Sequence, residues 1–239
     1  MGKNIFLQRQ IITTEDGSCS LKLNHFDEQF HSVHGAMAES MHIYIHSGLK
    51  SLSQQQISVF EMGFGTGLNA LLTLAHSADK QIHYHTVEAF PLNENEYLSL
   101  NYIDSIFAQF QDIFPFSKEE LQQFFIAMHK SENGEILQIT PNFHFKKEII
   151  LLENKTWDDT PFDLIYFDAF SPETQPELWN DSVFEKLYAI LHEGGVLTTY
   201  CAKGVVKRSL KKAGFIVDSL PGPTGKREIT KAVKSALCR

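Results

Sequence analysis

The hydrophobic and polar positions divide the chain into a short N-terminal region and a longer region in which strand-like and helix-like segments alternate. In the first region, two short apolar runs at 11–14 and 19–23 flank a polar turn over residues 15–18. This pattern predicts a β-hairpin. A helix over 39–45 is expected to lead from the hairpin towards the core.

From residue 57 onwards, apolar runs of strand length alternate with segments of helix length. The predicted strands lie at 57–61, 82–88, 143–152, 163–168, 196–200, 215–220 and 228–233. The predicted helices lie at 68–76, 92–129, 181–191 and 205–213. Repeated strand–helix units predict an α/β fold with a doubly wound, mostly parallel sheet and helices on both faces. We expect an accessory N-terminal segment over residues 1–50, a hairpin plus a helix, and one domain over residues 51–239.

A glycine-rich loop lies between the first strand of this domain and its helix. It reads G-x-G-x-G over residues 63–67 and follows the acidic residue Glu61. Alternating glycines let the backbone approach a ligand closely and adopt positive φ. Dinucleotide loops usually read G-x-G-x-x-G, so this spacing and the acid favour a positively charged ligand over a pyrophosphate. Glu88 ends the next strand, 21 residues after Gly67, where a carboxylate can bind a ribose diol.

A second group of candidate residues follows the predicted strand at 163–168. The sequence there is Asp168-Ala169-Phe170-Ser171-Pro172, and it should reach the same edge of the sheet as the glycine loop. A carboxylate at a strand end beside an aromatic residue suits the binding of a nucleophilic amine. The alternative is that Asp168 only caps the following turn.

The composition indicates an ordinary folded protein, with 43% hydrophobic and 21% charged residues among 239, and excludes disordered and fibrous classes. Apolar stretches of five or six residues are far shorter than the roughly 20 that a membrane helix needs. The N-terminus has no apolar signal region, and the scattered Cys19, Cys201 and Cys238 argue against a disulfide framework. We expect a cytoplasmic protein that does not bind membranes.

The charge is distributed unevenly along the chain. Residues 1–199 have a net charge of -16, whereas residues 200–239 have a net charge of +8. A basic segment on an acidic body is a candidate contact for a polyanion such as nucleic acid. The alternative is a solvated helix face without a partner.

Other reactive side chains indicate no metal site and no second nucleophile. His42 and His46 have a spacing found in metal sites on helices, but no carboxylate or cysteine completes a ligand set. Cys201 follows a predicted strand without a neighbouring histidine or acid to activate its thiol. We expect no bound metal and a packed, unreactive Cys201.

Taken together, the motifs resemble those of the methyltransferase domain of the bacterial MnmC/MnmD family, which modifies the wobble uridine of tRNA. The family belongs to the class I, Rossmann-like methyltransferases that bind S-adenosylmethionine. The resemblance spans roughly residues 25–232, and near the start it includes Ser32-Val33-His34-Gly35-Ala36 and Glu39-Ser40. Its markers are the glycine loop followed by Leu68-Asn69, then Glu88-Ala89-Phe90-Pro91-Leu92, the motif at 168–172, Pro176-Glu177-Leu178-Trp179, Gly194-Gly195 and Gly225-Lys226-Arg227-Glu228.

The resemblance implies methylation of the exocyclic amine of a 5-aminomethyl-uridine, often 2-thiolated, with S-adenosylmethionine as the methyl donor. In bifunctional relatives, a flavin-dependent domain first removes a carboxymethyl group, and 239 residues leave no room for that domain. We therefore expect a stand-alone transferase that uses neither FAD nor a metal. A separate enzyme would supply the aminomethyl-uridine.

The resemblance also implies roles for individual residues. The expected cofactor-binding residues are Glu61, Gly63, Gly65, Thr66, Gly67, Asn69 and Glu88, with Glu88 on the ribose. The family's Gly-Asp pair at the adenine falls on Lys147-Glu148 here, a departure at both positions that leaves Glu148 as the candidate contact. Asp168 is the expected catalytic residue. The expected substrate contacts are Phe170, Ser171, Pro172 and Tyr200 for the base, and Lys203, Lys207, Arg208, Lys226 and Arg227 for the phosphates of the anticodon arm.

Two other functions remain open from the residues alone. A small-amine transferase, such as a polyamine aminopropyltransferase, would also need acids near an amine but would have no use for the basic segment. A non-catalytic subunit that binds the cofactor or RNA is the second alternative, and the paired motifs on both halves of the site argue against it.

Overall fold

The computed structural model describes residues 8–24, 28–77, 79–110, 114–157 and 161–235. Cys238, one of the three cysteines considered above, lies outside the described residues.

The N-terminal segment forms the predicted hairpin and helix. β1 (Arg9–Thr13) pairs with β2 (Cys19–Leu23) in antiparallel register. α1 (Ala36–Ser40) continues into a π-helical turn over Met41–His46. Asp16 joins the two parts, because its carboxylate accepts hydrogen bonds from the amide of Ser18 in the hairpin turn and from the amide of Ala38 in α1, each 3.0 Å long.

Each strand predicted from residue 57 onwards has a counterpart in the structure, and the helical region predicted at 92–129 forms three separate helices. The strands are β3 (Gln56–Met62), β4 (Gln81–Glu88), β5 (Ile136–Thr140), β6 (Phe143–Ile149), β7 (Phe162–Phe167), β8 (Leu191–Thr199), β9 (Phe215–Pro221) and β10 (Glu228–Lys234). The helices are α2 (Leu68–Ala75), α3 (Glu94–Leu98), α4 (Tyr102–Phe110), α5 (Lys118–Lys130), α6 (Asp181–Ala189) and α7 (Gly204–Ala213). Among the described residues, no helix has both the length and the apolar character needed to cross a membrane.

The eight strands β3 to β10 form one sheet in the order β5-β6-β4-β3-β7-β8-β10-β9. The five strands β6, β4, β3, β7 and β8 are parallel to one another. β10 lies antiparallel between β8 and β9, and β5 adds an antiparallel edge to β6. The prediction of a doubly wound, mostly parallel sheet is confirmed.

Two parts of the sheet differ from the prediction. β5 was not predicted, because it is a short edge strand whose Ile136 is 72% exposed and gives no buried apolar run. β8 begins at Leu191, so Gly194-Gly195 lies inside the strand rather than in a turn before it. The register between β7 and β8 shifts at this point, which accommodates the extra residues as a bulge.

The core has two layers on opposite faces of the sheet. Along β3, Ile57 and Val59 belong to one buried cluster and Phe60 and Met62 to the other, as expected where successive side chains point to opposite faces. The first cluster also holds Tyr44 of the π-helical turn, so the N-terminal segment packs into the same core as the strands that carry the site.

Candidate active site

A cavity of about 550 Å³ lies at the carboxyl ends of the central parallel strands. It is lined by the glycine loop after β3, by Glu88 at the end of β4 and by Asp168 after β7. β4 and β7 flank β3 on its two sides, so the chain reverses its direction of progress across the sheet here. Such a switch point is where open α/β sheets bind ligands.

The glycine loop takes a conformation that ordinary side chains would oppose. Gly63, Gly65 and Gly67 have φ values of 87°, 52° and 77°. A Cβ atom on Gly63 would lie 2.9 Å from the carbonyl oxygen of Asp168, so the glycine permits close contact between the loop and the end of β7. The loop therefore lies directly against the segment that begins at Asp168.

Glu88 is fixed at the edge of the cavity by two backbone amides. One carboxylate oxygen accepts a hydrogen bond from the amide of Gly65 and the other from the amide of Phe90, each 2.7 Å long. Each oxygen keeps further acceptor capacity on the cavity side. The geometry is suited to accepting hydrogen bonds from a diol.

Asp168 lies partly exposed on the cavity wall directly after β7. The amide of Asn69, in the first turn of α2, donates a 2.8 Å hydrogen bond to its carboxylate. The pKa of Asp168 is raised to about 7, because burial and the charge of Glu39 outweigh the opposite effects of Tyr44, Asn69 and Lys226. This carboxyl group can therefore both lose and accept a proton near neutral pH.

Glu61, which was expected to bind the cofactor, lies near the end of β3, is fully buried and does not line the cavity. Burial and the nearby Asp168 raise its pKa well above the ordinary range, although Thr86, Tyr84 and Asn69 lie close enough to lower it somewhat. Among the described residues, neither of its carboxyl oxygens has a hydrogen-bond partner of normal geometry.

The cavity residues around the glycine loop have the chemistry needed to bind S-adenosylmethionine. That cofactor carries a positive sulfonium, a positive ammonium and a ribose diol, and the wall presents the carboxylates of Glu88 and Asp168. Asn69 also lines the cavity, and its buried amide oxygen has no hydrogen-bond partner in the described part of the chain. These acceptors match a polar, cationic ligand better than a pyrophosphate.

Another part of the cavity wall is built from aromatic residues and one lysine. The ring of Phe170 meets that of Phe30 edge to face at 5.0 Å, and the indole of Trp179 donates a 2.8 Å hydrogen bond to the Phe170 carbonyl. The hydroxyl of Tyr200 donates to the carbonyl of Ala169 at 2.9 Å, and Lys226 lies over the Tyr200 ring.

A second depression of about 390 Å³ adjoins the first cavity and shares Tyr200 and Lys226 with it. It brings together most of the residues expected to contact the substrate, namely Ser171, Pro172, Tyr200, Lys203, Lys226 and Arg227. Ser171 is held by Glu28, whose carboxylate accepts a 2.8 Å hydrogen bond from the serine hydroxyl.

Several of the expected phosphate-binding cations have acidic partners. Lys203 pairs with Glu173, and Lys207 pairs with Glu228 at 2.9 Å. Arg208 on α7 and Arg227 are exposed. Surface ion pairs of this kind contribute only about 0–1 kcal/mol, so a phosphate can compete for these lysines.

The structure does not bring Glu148 to the cavity. Its carboxylate accepts a 2.9 Å hydrogen bond from Lys155 and lies 3.0 Å from His85 and 2.9 Å from Lys146. Burial raises the pKa of Glu148, but these partners outweigh it and lower the pKa to about 2. Glu148 is held by them and does not line the cavity. The segment after β6 lines the cavity instead, with the apolar Ile150, Leu151 and Leu152 and the acidic Glu153.

The neighbouring Lys147 has a supporting role that the sequence did not predict. Its buried ammonium group donates to the carbonyls of Met128 and His129 at the end of α5, at 2.8 and 2.6 Å. It also lies 5.1 Å from the centre of the Phe64 ring in the glycine loop.

Glu39 is a site residue that sequence analysis did not single out for a role. It is buried, lines the cavity and lies 3.0 Å from the ammonium of Lys226. The motif Glu39-Ser40 belongs to the family resemblance, but its role depends on Lys226, which lies far away in sequence in the loop between β9 and β10.

Known bacterial proteins are similar to this chain in sequence. Two bacterial proteins named tRNA 5-methylaminomethyl-2-thiouridine biosynthesis bifunctional protein MnmC, from Marinomonas sp. and Cupriavidus metallidurans, are each 30% identical to the chain over 223 and 226 residues. Each alignment covers 87% of this chain but only 31% of the relative. The chain thus spans about a third of the length of these relatives.

Two solved structures have a similar fold. MnmC2 from Aquifex aeolicus matches with a TM-score of 0.76 and 23% identity, over 95% of this chain and 70% of that chain. Spermidine synthase from Thermotoga maritima matches with a TM-score of 0.58 and 15% identity, over 95% of this chain and 69% of that chain. At these identities the matches show the fold alone.

A family model described as S-adenosyl-L-methionine-dependent methyltransferase matches residues 111–235, slightly more than half of the chain. The matched region carries Asp168, Phe170, Tyr200 and Lys226, and the glycine loop and Glu88 precede it. The chain therefore belongs to the family of S-adenosyl-L-methionine-dependent methyltransferases.

Proposed function

We propose that this protein transfers a methyl group from S-adenosylmethionine to the exocyclic amine of 5-aminomethyluridine, or its 2-thio form, at the wobble position of tRNA. The product is the 5-methylaminomethyl nucleoside. The observation that carries the proposal is the position of Asp168. It is bonded to Asn69 beside the glycine loop, and the chain continues from it into Ala169, which accepts the hydrogen bond from Tyr200.

The first half of the site is assigned to the cofactor. When bound, S-adenosylmethionine supplies an electrophilic methyl group on a positively charged sulfur. Glu88 accepts hydrogen bonds from the ribose hydroxyls, and the glycine loop lets the backbone approach the ligand closely. The carboxyl groups that line the cavity favour the positive charge, and the apolar end of β6 offers a surface for the adenine.

Asp168 prepares the amine for reaction. An alkylammonium has a pKa close to that of lysine, about 10.4, and has no lone pair until it loses a proton. The pKa of Asp168, raised to about 7, lets its carboxylate accept that proton and release it to water near neutral pH. The hydrogen bond from Asn69 keeps the carboxylate oriented during this transfer.

The second half of the site is assigned to the RNA. Phe170 or Tyr200 offers an aromatic face on which an extruded wobble base can stack. The lysines and arginines around the second depression then contact phosphates of the anticodon arm. Such a substrate is found in the cytoplasm, and its aminomethyl group must be in place before the methyl transfer. The proposal therefore includes a functional link to the enzyme activity that installs this group.

A competition experiment separates tRNA from a small amine as the substrate. The protein is given labelled S-adenosylmethionine, tRNA carrying 5-aminomethyluridine and a free aliphatic diamine, at two salt concentrations. We expect label in the tRNA, with transfer that falls steeply as salt rises, because several phosphate contacts are involved. Label in the diamine at a rate that salt leaves unchanged would replace the proposal with a small-amine transferase.

A further inference from the structure

Lys226 holds its ammonium group inside the cavity, between a carboxylate and an aromatic ring. The nitrogen lies 3.0 Å from a carboxylate oxygen of Glu39 and 4.4 Å from the centre of the Tyr200 ring. Both distances are those of direct recognition of a cation, by an ion pair and by the face of a ring. Lys226 occupies a formed site for a primary ammonium group.

Glu39 is built into this position. It is only 6% exposed, and one of its oxygens accepts a 2.7 Å hydrogen bond from the amide of Ser32. Its other oxygen faces Lys226 and has no hydrogen bond of normal geometry within the described chain. A buried carboxylate of this kind needs a cation beside it.

The ammonium site lies next to the proposed catalytic carboxylate. The hydroxyl of Tyr200 is bonded to Ala169, the residue after Asp168. The charges of Glu39 and Lys226 both act on Asp168, the first raising and the second lowering its pKa. A cation that replaced Lys226 would therefore lie close to the group that accepts its proton.

We propose that Glu39 and the ring of Tyr200 recognise the protonated aminomethyl group of the substrate, and that Lys226 fills this site until the substrate displaces it. This inference rests on the proposed function and names the residues that select its amine. The exchange replaces one ammonium by another, so Glu39 is paired in both states. The released Lys226 is free to contact a phosphate of the same RNA.

The exchange is physically accessible because Lys226 has a flexible four-carbon side chain that is 27% exposed. It lines both the cavity and the second depression. A tRNA docked on that depression brings phosphates to the place where the released ammonium can go. Lys226 thus couples recognition of the amine to recognition of the RNA phosphates.

The test measures binding of two anticodon stem-loop RNAs in the presence of S-adenosylhomocysteine, one with 5-aminomethyluridine and one with uridine at the wobble position. We expect wild type to prefer the aminomethyl RNA. Glu39→Gln keeps the hydrogen bond to Ser32 but removes the charge, and it should reduce this preference about tenfold. Lys203→Met is the matched control, since it removes another ion-paired lysine of the depression and should weaken both RNAs equally.

Lys226→Met provides a second readout that a merely structural ion pair would not give. It should tighten binding of the free nucleoside 5-aminomethyluridine several-fold, because the competing cation is gone, while weakening binding of tRNA. The double variant Glu39→Gln with Lys226→Met leaves no unpaired charge, and it should fold and lose the preference. Thermal unfolding of all variants checks their folding.

The outcomes separate this inference from the proposed function. If wild type shows no preference for the aminomethyl RNA, the proposed function fails. If wild type prefers it and folded Glu39→Gln retains the full preference, the proposed function stands and the assignment of Glu39 is overturned.

Discussion

Asn69 donates a 2.8 Å hydrogen bond to the carboxylate of Asp168, and this bond joins the first turn of α2 to the end of β7. The glycine loop leads directly into this turn, since Gly67 is the N-cap of α2. One short segment therefore forms part of the proposed cofactor site and also orients the Asp168 carboxylate. The backbones of the two segments are also in close contact, because a Cβ atom on Gly63 would lie 2.9 Å from the carbonyl oxygen of Asp168. These contacts fix the position of the glycine loop relative to Asp168.

Asp168→Asn should lower kcat by about 10²- to 10⁴-fold, because the amide keeps the shape of the side chain but cannot accept the proton. In wild type, the rate should rise with pH through about 7, as Asp168 loses its proton, and this step should be absent in the variant. Single-turnover methyl transfer between pH 5 and 9 measures both. Cofactor binding within a few-fold of wild type is the control, and an equally active variant would remove Asp168 from the chemistry.

Glu88→Gln should weaken S-adenosylmethionine binding by tenfold or more while leaving tRNA binding unchanged. The carboxylate accepts hydrogen bonds from the amides of Gly65 and Phe90, and a glutamine NH₂ group cannot replace both acceptors. Isothermal titration with the cofactor and a filter-binding assay with tRNA separate the two effects. Cofactor affinity equal to that of wild type would contradict the assignment to the ribose.

Glu61→Gln should stabilise the protein at pH 8 more than at pH 5. The pKa of Glu61 is raised in the folded state, so ionisation is opposed there but is free above about 4.5 in the unfolded chain. Folding stability therefore falls as pH rises from about 4.5 through the folded pKa, and the glutamine variant lacks this loss. Urea unfolding at both pH values measures the difference.

Glu119→Gln, on the exposed first turn of α5, is the control for Glu61→Gln because it makes the same change of net charge. A stability difference between the Glu61 variant and wild type that does not change with pH would show that the buried acid is ionised when folded.

Lys147→Met should destabilise the fold by roughly 1–3 kcal/mol, because the carbonyls of Met128 and His129 lose their donor. Burial lowers the pKa of Lys147 to about 8, so the folded state opposes its charge. Stability of wild type relative to the variant should therefore rise as pH increases from about 8 to 10.5.

Because Lys147 lies over the ring of Phe64 in the glycine loop, the cofactor affinity of Lys147→Met should also be several-fold lower than that of wild type. A variant with unchanged unfolding and cofactor binding would refute this supporting role.

Arg208→Ala combined with Arg227→Ala should weaken tRNA binding and lower the slope of log affinity against log salt by about 1–2. Both side chains are exposed, and each phosphate contact that is lost removes counterion release. Cofactor affinity should remain within a few-fold of wild type. Lys50→Ala, an exposed cation outside the basic segment, should leave the salt slope unchanged. An unchanged slope in the arginine variant would place the RNA on another surface.

The sequence predicted the parts of the site that follow from local pattern. The glycine spacing, Glu88 and Asp168 each occur at the end of an apolar run, and parallel strands bring such ends to one edge. That rule was enough to predict that these residues would line one cavity, which they do.

The residues that the sequence could not predict depend on distant contacts. Glu39 lies on α1 and meets Lys226 from the loop before β10, and no local pattern links the two positions. Glu148 was expected at the adenine from alignment of a motif, but its neighbours Lys146, Lys155 and His85 hold it elsewhere. The bulge at Gly194-Gly195 resembles a turn because glycines are typical of both.

Transfer of labelled methyl from S-adenosylmethionine to two tRNA pools tests the central claim most directly. One pool carries 5-aminomethyluridine at the wobble position and the other carries unmodified uridine. The account predicts label only in the aminomethyl pool, mapped to its exocyclic nitrogen and lost with Asp168→Asn. Absence of label in both pools from a protein that still binds the cofactor would contradict the tRNA assignment and leave only the fold and the family.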